Sequence, residues 1–386
     1  FGDNYIDGGT GNNTVDYSQV TYLNGVIVKL LSPTAVGLGE TWGESTSNSG
    51  NDRLVNIQNV IGTQYDDTFS GADNTNNSFD GGAGGSDLVD YSYYKSNAIT
   101  VNLDEGWATG QGTDSFKNID AIRGTDILAF GDTLIGSSTQ GNTLYGMAGN
   151  DIIKGMGGNN SLYGGSGNDT IYSGKDDDFI DGGTGVDTVS YEEVTTGGVT
   201  VYLGKENISQ NTINAGNDTL KNIQNLIGTV SNDTLGASLT EVNTLNGLGG
   251  NDTADYSVLL KAVGDDGVIA NLLLGTASKG LSTDDTLISI ENLIGTDGKD
   301  TLIGNNSNNT LDGGTGDDYF IAHGGNNSII GGAGVDTIDY SQSGKSLIIS
   351  IFVPHLSIVF ILFFTSFIPF ANCCSPYYPL QLIIYF

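Results

Sequence analysis

Five consecutive nine-residue blocks, GMAGNDIIK-GMGGNNSLY-GGSGNDTIY-SGKDDDFID-GGTGVDTVS, occupy residues 146–190. A second run of five blocks, GTDGKDTLI-GNNSNNTLD-GGTGDDYFI-AHGGNNSII-GGAGVDTID, occupies residues 295–339. The blocks favour Gly at positions 1, 2 and 4, Asp or Asn at position 6, and an apolar residue at position 8. A fixed short period of this kind is typical of a solenoid, in which each repeat contacts only its neighbours.

The residue types of one block predict a turn followed by a very short strand. Gly reaches the positive φ values that a tight turn needs. In the third block, Asp169-Thr170-Ile171 leaves the turn and can form only a short strand, with one inward side chain at position 8. The predicted core residues are Ile153, Leu162, Ile171, Ile180, Val189, Leu302, Leu311, Phe320, Ile329 and Ile338.

The side chain at position 6 is the candidate metal ligand. It lies where the turn meets the strand, so its carboxylate can reach back over the carbonyls of the turn. Carboxylate and backbone carbonyl oxygens are the hard ligands that Ca²⁺ prefers. One buried apolar side chain per block is a thin core, and the chain carries a formal net charge of −32. We therefore expect several bound Ca²⁺ ions and binding that is coupled to folding.

These arguments give a definite set of candidate ligands. The strongest are Asp151, Asp169, Asp178, Asp187, Asp300, Asp318 and Asp336. The weaker ones are Asp67, Asp87, Asn160, Asp233 and Asp252. Backbone carbonyls are expected from Gly146, Gly149, Gly164, Gly165, Gly167, Gly182, Gly183, Gly185, Gly295, Gly298, Gly313, Gly314, Gly316, Gly331, Gly332 and Gly334.

Both runs resemble the GGxGxDxUx pattern of the RTX family, the hemolysin-type calcium-binding repeat proteins. The resemblance implies an all-β fold, a parallel β-roll or β-solenoid in which two nonapeptides form one coil. It also implies that each Ca²⁺ lies between turns n and n+2 on one edge. Single blocks recur at 8–16, 82–90, 228–236 and 247–255, so with the longer units the resemblance covers roughly residues 1–352.

Stacking of alternate blocks would divide position 6 into two ladders in each run. The odd blocks carry Asp throughout, whereas the even blocks carry Asn160, Asp178, Asn309 and Asn327 and lose glycines. Because the affinity for Ca²⁺ follows the number of charged ligands, we expect the odd edge to bind the metal more strongly. Stacked Asn amides could hold the even edge instead.

A longer unit is superimposed on the nonapeptides. It begins with a D-Y-S-like element, continues with an alternating strand such as GVTVYL (198–203), and ends with an element such as NIQNLIGT (222–229). Alternation of period two indicates half-buried strands. The predicted repeat modules are 1–79, 80–180, 181–245 and 246–330, and a further module starts at 331–352.

The tail, residues 353–386, differs in kind from the repeats. The segment 352–370 is almost wholly apolar and long enough to be a transmembrane candidate, and Cys373 and Cys374 follow it. Three interpretations stay open: an artefactual continuation such as a frameshift, a genuine membrane segment, or a buried pair of hydrophobic strands. A membrane partner is expected only under the second.

Composition and motifs exclude several functions. A nucleic-acid partner is unfavourable, because Asp and Glu number 45 against 13 Lys and Arg. The two histidines, His323 and His355, cannot form an H-E-x-x-H zinc motif, and no catalytic motif is found. We therefore expect that this region is not itself an enzyme. Tyr145, Tyr163 and Tyr172 either form a carbohydrate-contacting stripe or pack laterally along the roll.

Three functional hypotheses follow. The first is a calcium-binding structural or adhesive repeat region of a secreted bacterial RTX-type protein, exported by type I secretion to the extracellular space, with a cell-surface or polysaccharide partner. The repeat region has no cysteine, which fits that location. The second is the C-terminal repeat portion of a secreted enzyme. The third is an ice- or surface-binding calcium roll, which would need a regular Thr ladder in its turns.

Overall fold

The computed structural model describes residues 3–20, 24–30, 43–47, 50–72, 74–238, 240–258, 266–278, 284–342, 351–353, 356–358 and 382–383. Within these residues the chain forms short β-strands, and the helical structure is one 3₁₀ turn at Leu203–Lys205. The predicted all-β parallel roll is confirmed. The chain divides into two compact units, Phe1–Thr229 and Val230–Phe386. The predicted module boundaries remain a prediction.

The strands of the first unit are mostly three residues long, as the nonapeptide pattern predicts. They are Tyr5–Asp7 (β1), Thr14–Asp16 (β2), Ile27–Lys29 (β3), Gly43–Ser47 (β4), Gly50–Val55 (β5), Asn59–Ile61 (β6), Thr68–Ser70 (β7), Ser78–Asp80 (β8), Leu88–Asp90 (β9), Thr100–Asn102 (β10), Trp107–Thr109 (β11), Thr113–Lys117 (β12), Ala121–Arg123 (β13), Thr133–Ile135 (β14), Thr143–Ala148 (β15), Ile152–Lys154 (β16), Ser161–Ser166 (β17), Thr170–Tyr172 (β18), Phe179–Thr184 (β19), Thr188–Ser190 (β20), Thr200–Tyr202 (β21), Gln210–Asn211 (β22), Asn217–Lys221 (β23) and Asn225–Ile227 (β24).

Each strand of the tandem run pairs in parallel with the strand two blocks further on, so two blocks make one coil. Ile153 lies opposite Ile171, which in turn lies opposite Val189. On the other side of the coil, Leu162 lies opposite Ile180. All five side chains at position 8 of this run are fully buried. Consecutive blocks thus contribute to two facing sheets, with one apolar layer between them.

Two sheets run through the first unit. One has twelve strands in the order β1-β5-β4-β3-β7-β9-β13-β15-β17-β19-β23-β22. In the other, pairing runs through β2-β6-β8-β12-β11-β10-β14-β16-β18-β20-β24. The alternation of the two sheets along the chain is what brings position 6 of alternate blocks to the same edge.

Antiparallel meanders interrupt the parallel ladder. Strand β10 pairs antiparallel with β11, and β11 pairs antiparallel with β12. The outer members rejoin the ladder, because β12 runs parallel to β8 and β10 runs parallel to β14. Strands β3, β4 and β5 form the same meander in the first sheet. The alternating segments of the sequence are therefore the first strands of meanders.

The second unit repeats the plan. Its strands are Thr234–Gly236 (β25), Thr244–Asn246 (β26), Thr253–Asp255 (β27), Asp266–Asn271 (β28), Thr276–Ser278 (β29), Asp284–Ile288 (β30), Asn292–Ile294 (β31), Lys299–Ile303 (β32), Thr310–Asp312 (β33), Tyr319–Ile321 (β34), Ser328–Ile330 (β35), Thr337–Asp339 (β36), Ile351–Val353 (β37), Leu356–Ile358 (β38) and Leu382–Ile383 (β39). Pairing runs through β25-β27-β31-β33-β35 on one side and β26-β30-β29-β28-β32-β34-β36 on the other.

The last coil of the second run is less enclosed than the others. Leu302, Leu311 and Phe320 are fully buried, whereas Ile329 and Ile338 are half-buried. In the tail, β37 and β38 pair antiparallel, and β39 pairs with β36. Most of the predicted apolar segment 352–370, and both cysteines, lie outside the described residues. No helix of the described part is long and apolar enough to cross a membrane.

Candidate metal centre

The position-6 carboxylates of the odd blocks form a continuous ladder along one edge of the first run. The backbone N–H of Asp132 donates to Asp151 Oδ1 at 2.6 Å. The N–H of Asp151 donates to Asp169 Oδ1 at 2.8 Å, and that of Asp169 to Asp187 Oδ1 at 2.8 Å. Each carboxylate therefore uses one oxygen to hold the coil before it.

The same ladder recurs elsewhere. In the second run, Asp300 N–H donates to Asp318 Oδ1 at 2.9 Å, and Asp318 N–H donates to Asp336 Oδ1 at 3.1 Å. Four of the five weaker candidates form two short ladders. Their bonds run from Asp67 N–H to Asp87 Oδ1 and from Asp233 N–H to Asp252 Oδ1, both at 2.8 Å.

The second carboxylate oxygen is what marks these residues as a metal site. Among the described residues, buried Oδ2 atoms without a hydrogen-bond partner belong to Asp151, Asp169, Asp187, Asp252, Asp318 and Asp336. Leaving one buried anionic oxygen unpaired is costly, and here the cost recurs on successive coils. Native proteins meet that cost by pairing the charge or by coordinating a metal, so this donor set fits Ca²⁺.

Glycine at position 1 lets a carboxylate oxygen and a carbonyl oxygen approach its backbone closely. A Cβ on Gly164 would collide with Asp169 Oδ2 and would lie 2.5 Å from the Gly182 carbonyl oxygen. A carboxylate oxygen and a carbonyl oxygen of the next coil therefore lie close together beside Gly164, where only glycine leaves room for both. The same two oxygen types crowd Gly146, Gly295 and Gly313.

The predicted carbonyl ligands at positions 2 and 4 are stacked in the same way. A Cβ on Gly183 would collide with the Gly165 carbonyl oxygen, and one on Gly185 with that of Gly167. The remaining predicted turn glycines follow the pattern, with the carbonyls of Gly149, Gly298, Gly314 and Gly316 facing Gly167, Gly316, Gly332 and Gly334. No group of three or more His, Cys, Asp or Glu side chains converges within the described ranges. Further ligands to a metal would thus be backbone carbonyls.

Burial makes these carboxylates hard to ionise without a counter-charge. Desolvation raises the pKa of Asp151 and of Asp318 to about 7, and neighbouring ladder carboxylates add to both shifts. Desolvation likewise raises the pKa of Asp169 to about 6. A bound divalent cation would supply the opposite charge that the fold itself does not provide.

The even edge carries three amides and the carboxylate Asp178 at position 6 of its blocks, and none of these side chains has a buried unpartnered oxygen. Asn142 N–H donates to Asn160 Oδ1 at 2.8 Å, and Asn160 N–H donates to Asp178 Oδ1 at 2.7 Å. In the second run, Asn309 N–H donates to Asn327 Oδ1 at 2.9 Å. The bonds between coils run mainly from backbone to side chain, not from amide to amide as the stacking argument supposed.

Among the strong candidates, Asp178 is one whose two carboxylate oxygens both have protein partners. It lies on the even edge, and its Oδ2 accepts the hydroxyl of Ser173 at 3.0 Å. Its N–H donates to Asp218 Oδ1 at 3.0 Å, and Ser173 Oγ is also 3.1 Å from Asp218 Oδ2. Burial and the neighbouring Asp218 raise the pKa of Asp178 to about 8. Both carboxylate oxygens of Asp178 therefore accept hydrogen bonds from groups of the protein.

Sequence reasoning missed the threonines that bind the first carboxylate of three of the ladders. Thr296 donates its N–H to Asp300 Oδ2 at 2.8 Å and its hydroxyl to Asp300 Oδ1 at 2.9 Å. Asp300 thus has both oxygens satisfied. The same two bonds join Thr63 to Asp67 and Thr125 to Asp132. The recurring Gly-Thr of the NIQNLIGT-like elements was the available signal.

The predicted aromatic stripe consists of rings that cover one another. The rings of Tyr145 and Tyr163 stack with centroids 4.8 Å apart and planes at 12°. Tyr172 lies on the other sheet, with the Lys154 ammonium 4.5 Å from its ring centroid. Lateral packing along the roll therefore describes these side chains.

A comparison with known protein families finds a known repeat in the segments that form these edges. The model for the RTX calcium-binding nonapeptide repeat matches residues 1–18, 129–162, 137–171, 155–189, 290–320 and 312–342. The chain carries RTX calcium-binding repeats. The matched RTX segments include both tandem runs and therefore five of the six unpartnered Oδ2 atoms. No curated protein matches the chain.

Proposed function

We propose that this chain is a structural or adhesive repeat region of a secreted bacterial protein, and that it folds into its roll on binding several Ca²⁺ ions. The observation that carries the proposal is the row of buried, unpartnered Oδ2 atoms at the odd edge. RTX repeats in these segments support Ca²⁺ as the ion. An extracellular location agrees with the high Ca²⁺ concentration that such a fold would need.

Specific residues would hold the ions. In the first run these are Asp151, Asp169 and Asp187, with position-1 carbonyls such as that of Gly182. In the second run they are Asp318 and Asp336. A bound ion supplies positive charge to a chain of net charge −32. The residues themselves fix the spacing of the coils, because each carboxylate also accepts the N–H of the coil before it.

Folding on Ca²⁺ binding is tested by small-angle X-ray scattering of the full chain in chelator, in Mg²⁺ and in Ca²⁺. We expect an expanded chain in chelator and in Mg²⁺, and compaction in Ca²⁺ alone, because Mg²⁺ demands a smaller octahedral site. Identical scattering curves in chelator and in Ca²⁺ would contradict the proposal. Assays for binding to cell surfaces and polysaccharides then address the adhesive part.

The hypothesis that the region belongs to a larger secreted enzyme makes the same prediction for folding. It differs in requiring that the Ca²⁺-loaded repeats raise the activity or secretion of a linked catalytic domain. Deleting residues 146–190 from the longer protein would then lower both, whereas a purely adhesive protein would lose attachment.

A further inference from the structure

The ladder formed by Asp233 and Asp252 ends on a residue outside the nonapeptide pattern. Glu291 follows the last strand of the meander, β30, and its Oε2 accepts the N–H of Asp252 at 2.8 Å. The N–H groups of Glu291 and Asn292 both donate to the Asp252 carbonyl oxygen, at 3.0 and 2.8 Å. In the tandem run Asp169 accepts the N–H of Asp151 in the same way. Glu291 thus takes the place of a position-6 Asp, although 39 residues separate it from Asp252.

An unpartnered oxygen faces this junction. Asp252 is fully buried, and its Oδ2 has no hydrogen-bond partner. A Cβ on Gly247 would collide both with this oxygen and with the Ser289 carbonyl oxygen. Ser289 has a φ of 50°, and this left-handed conformation places its carbonyl where a position-1 glycine carbonyl lies in the tandem runs. A carboxylate oxygen and a carbonyl oxygen therefore lie close together beside Gly247, as they do beside Gly164.

We propose that Asp252 and Glu291 form a Ca²⁺ site across the meander, with the Ser289 carbonyl as a further oxygen ligand. The site rests on the proposed calcium-dependent function and extends it, because one carboxylate comes from the NIQNLIGT-like element instead of from a nonapeptide. Asp252 lies outside the matched RTX segments. The sequence analysis placed Asp252 among the weaker candidates, in a single block outside the tandem runs.

The charge at the junction supports a divalent cation. The Asp233 and Glu291 carboxylates both lie near the buried Asp252 carboxylate. Glu291 is half-buried, so its side chain adds negative charge close to that carboxylate. Two carboxylates and a carbonyl are hard oxygen donors of the kind that Ca²⁺ takes.

The first unit contains a matched junction without the second charge. Gln224 Oε1 accepts the N–H of Asp187 at 2.7 Å, and the N–H groups of Gln224 and Asn225 donate to the Asp187 carbonyl at 3.0 and 2.9 Å. The geometry equals that at Glu291, but an amide replaces the carboxylate. The two junctions therefore allow one charge to be removed in one place and added in the other.

The test is equilibrium dialysis of the full chain with ⁴⁵Ca²⁺, comparing the parent with Glu291→Gln and Gln224→Glu. Glu193→Gln serves as control, because Glu193 is an exposed partner of Lys154. We expect Glu291→Gln to bind one ion fewer per chain and Glu193→Gln to match the parent. Gln224→Glu should tighten one ion, the one next to Asp187, by about tenfold, since affinity rises with the number of charged ligands.

An unchanged number of ions in a folded Glu291→Gln variant overturns the site. If that variant fails to fold in saturating Ca²⁺, Gln224→Glu decides: a tighter ion supports the assignment, and an unchanged isotherm overturns it. A parent chain that binds no Ca²⁺ would instead contradict the proposed function itself, so the two failures are distinguishable.

Discussion

The phenolic hydroxyl of Tyr191 donates a hydrogen bond to Asp218 Oδ2 at 2.9 Å, and both side chains are fully buried. Tyr191 directly follows β20, whereas Asp218 lies in the last strand of the meander, β23. The bond thus joins the two ends of the inserted segment. The same pairing recurs along the chain as Tyr17 to Asp52, Tyr91 to Asp114 and Tyr256 to Asp285.

Replacing Tyr191 by Phe removes this bond and leaves the ring. We expect the free energy of unfolding in saturating Ca²⁺ to fall by about 1–3 kcal/mol, the range for a hydrogen bond to a buried charged group. Urea unfolding monitored by circular dichroism measures it. Tyr93→Phe is the control, because Tyr93 is 58% exposed. Equal stability of the two variants would show that the Tyr191 hydroxyl does not hold the meander.

Asp178→Asn tests the carboxyl pair on the even edge. Burial and Asp218 raise the pKa of Asp178 to about 8, whereas an unfolded Asp titrates near 3.8. The folded state therefore binds more protons than the unfolded state between about pH 4 and pH 8, so this group lowers stability as the pH rises through that window. Other modules carry Asn77 and Asn243 at this place, each with its N–H on the equivalent Asp.

We expect Asp178→Asn to be more stable than the parent by about 1–3 kcal/mol at pH 8 and nearly equal to it at pH 4. Unfolding both proteins at both pH values in saturating Ca²⁺ gives the difference between their free energies of unfolding. The pH dependence of metal binding is common to both proteins and largely cancels in that difference. A variant that is less stable than the parent at pH 8 would instead indicate that the charge of Asp178 is needed, as for a metal ligand.

Gly164→Ala tests whether Ca²⁺ binding requires glycine at position 1. The added Cβ would collide with Asp169 Oδ2 and approach the Gly182 carbonyl oxygen to 2.5 Å. Displacing these oxygens should raise the Ca²⁺ midpoint of folding by about tenfold, which corresponds to about 1.4 kcal/mol. Gly249→Ala is the matched control, because its nearest contact would lie 3.9 Å away. Equal midpoints for the two alanine variants would show that the oxygens beside Gly164 do not bind the metal.

Asp169→Asn tests whether each central carboxylate serves two neighbouring sites. The amide keeps an acceptor for the Asp151 N–H but removes the charge, so we expect the loss of up to two bound ions. Asp178→Asn, on the even edge, should retain the parent's number. Titration calorimetry of the two variants compares the edges directly. The shared-ligand interpretation fails if Asp169→Asn keeps the parent's stoichiometry and midpoint.

Much of the roll could be predicted because one nine-residue period determines both the turn and the inward side chain. Ile153, Ile171 and Val189 are stacked and buried as the pattern predicts. The odd ladder also follows from spacing alone, since equal block lengths bring position 6 to one edge. Local periodicity is therefore sufficient wherever blocks follow one another without insertion.

The junctions could not be predicted, because their contacts span inserted meanders. Asp252 and Glu291 are 39 residues apart, and no period of nine relates them. The Tyr191–Asp218 bond spans 27 residues in the same way. The D-Y-S-like and NIQNLIGT-like elements were recognised in the sequence as recurring motifs. Their partners, however, depend on how β23 and β30 rejoin the ladder. Long-range pairing, not local propensity, sets those contacts.

The central claim is that the buried carboxylates of the odd edge make the fold depend on Ca²⁺, and far-UV circular dichroism of the full chain tests it most directly. The spectrum is recorded in chelator and then during titration into the millimolar range of Ca²⁺. The account predicts a largely unfolded chain in chelator and a cooperative gain of β-structure as Ca²⁺ rises. A spectrum that is already β-rich in chelator and unchanged by Ca²⁺ would contradict it.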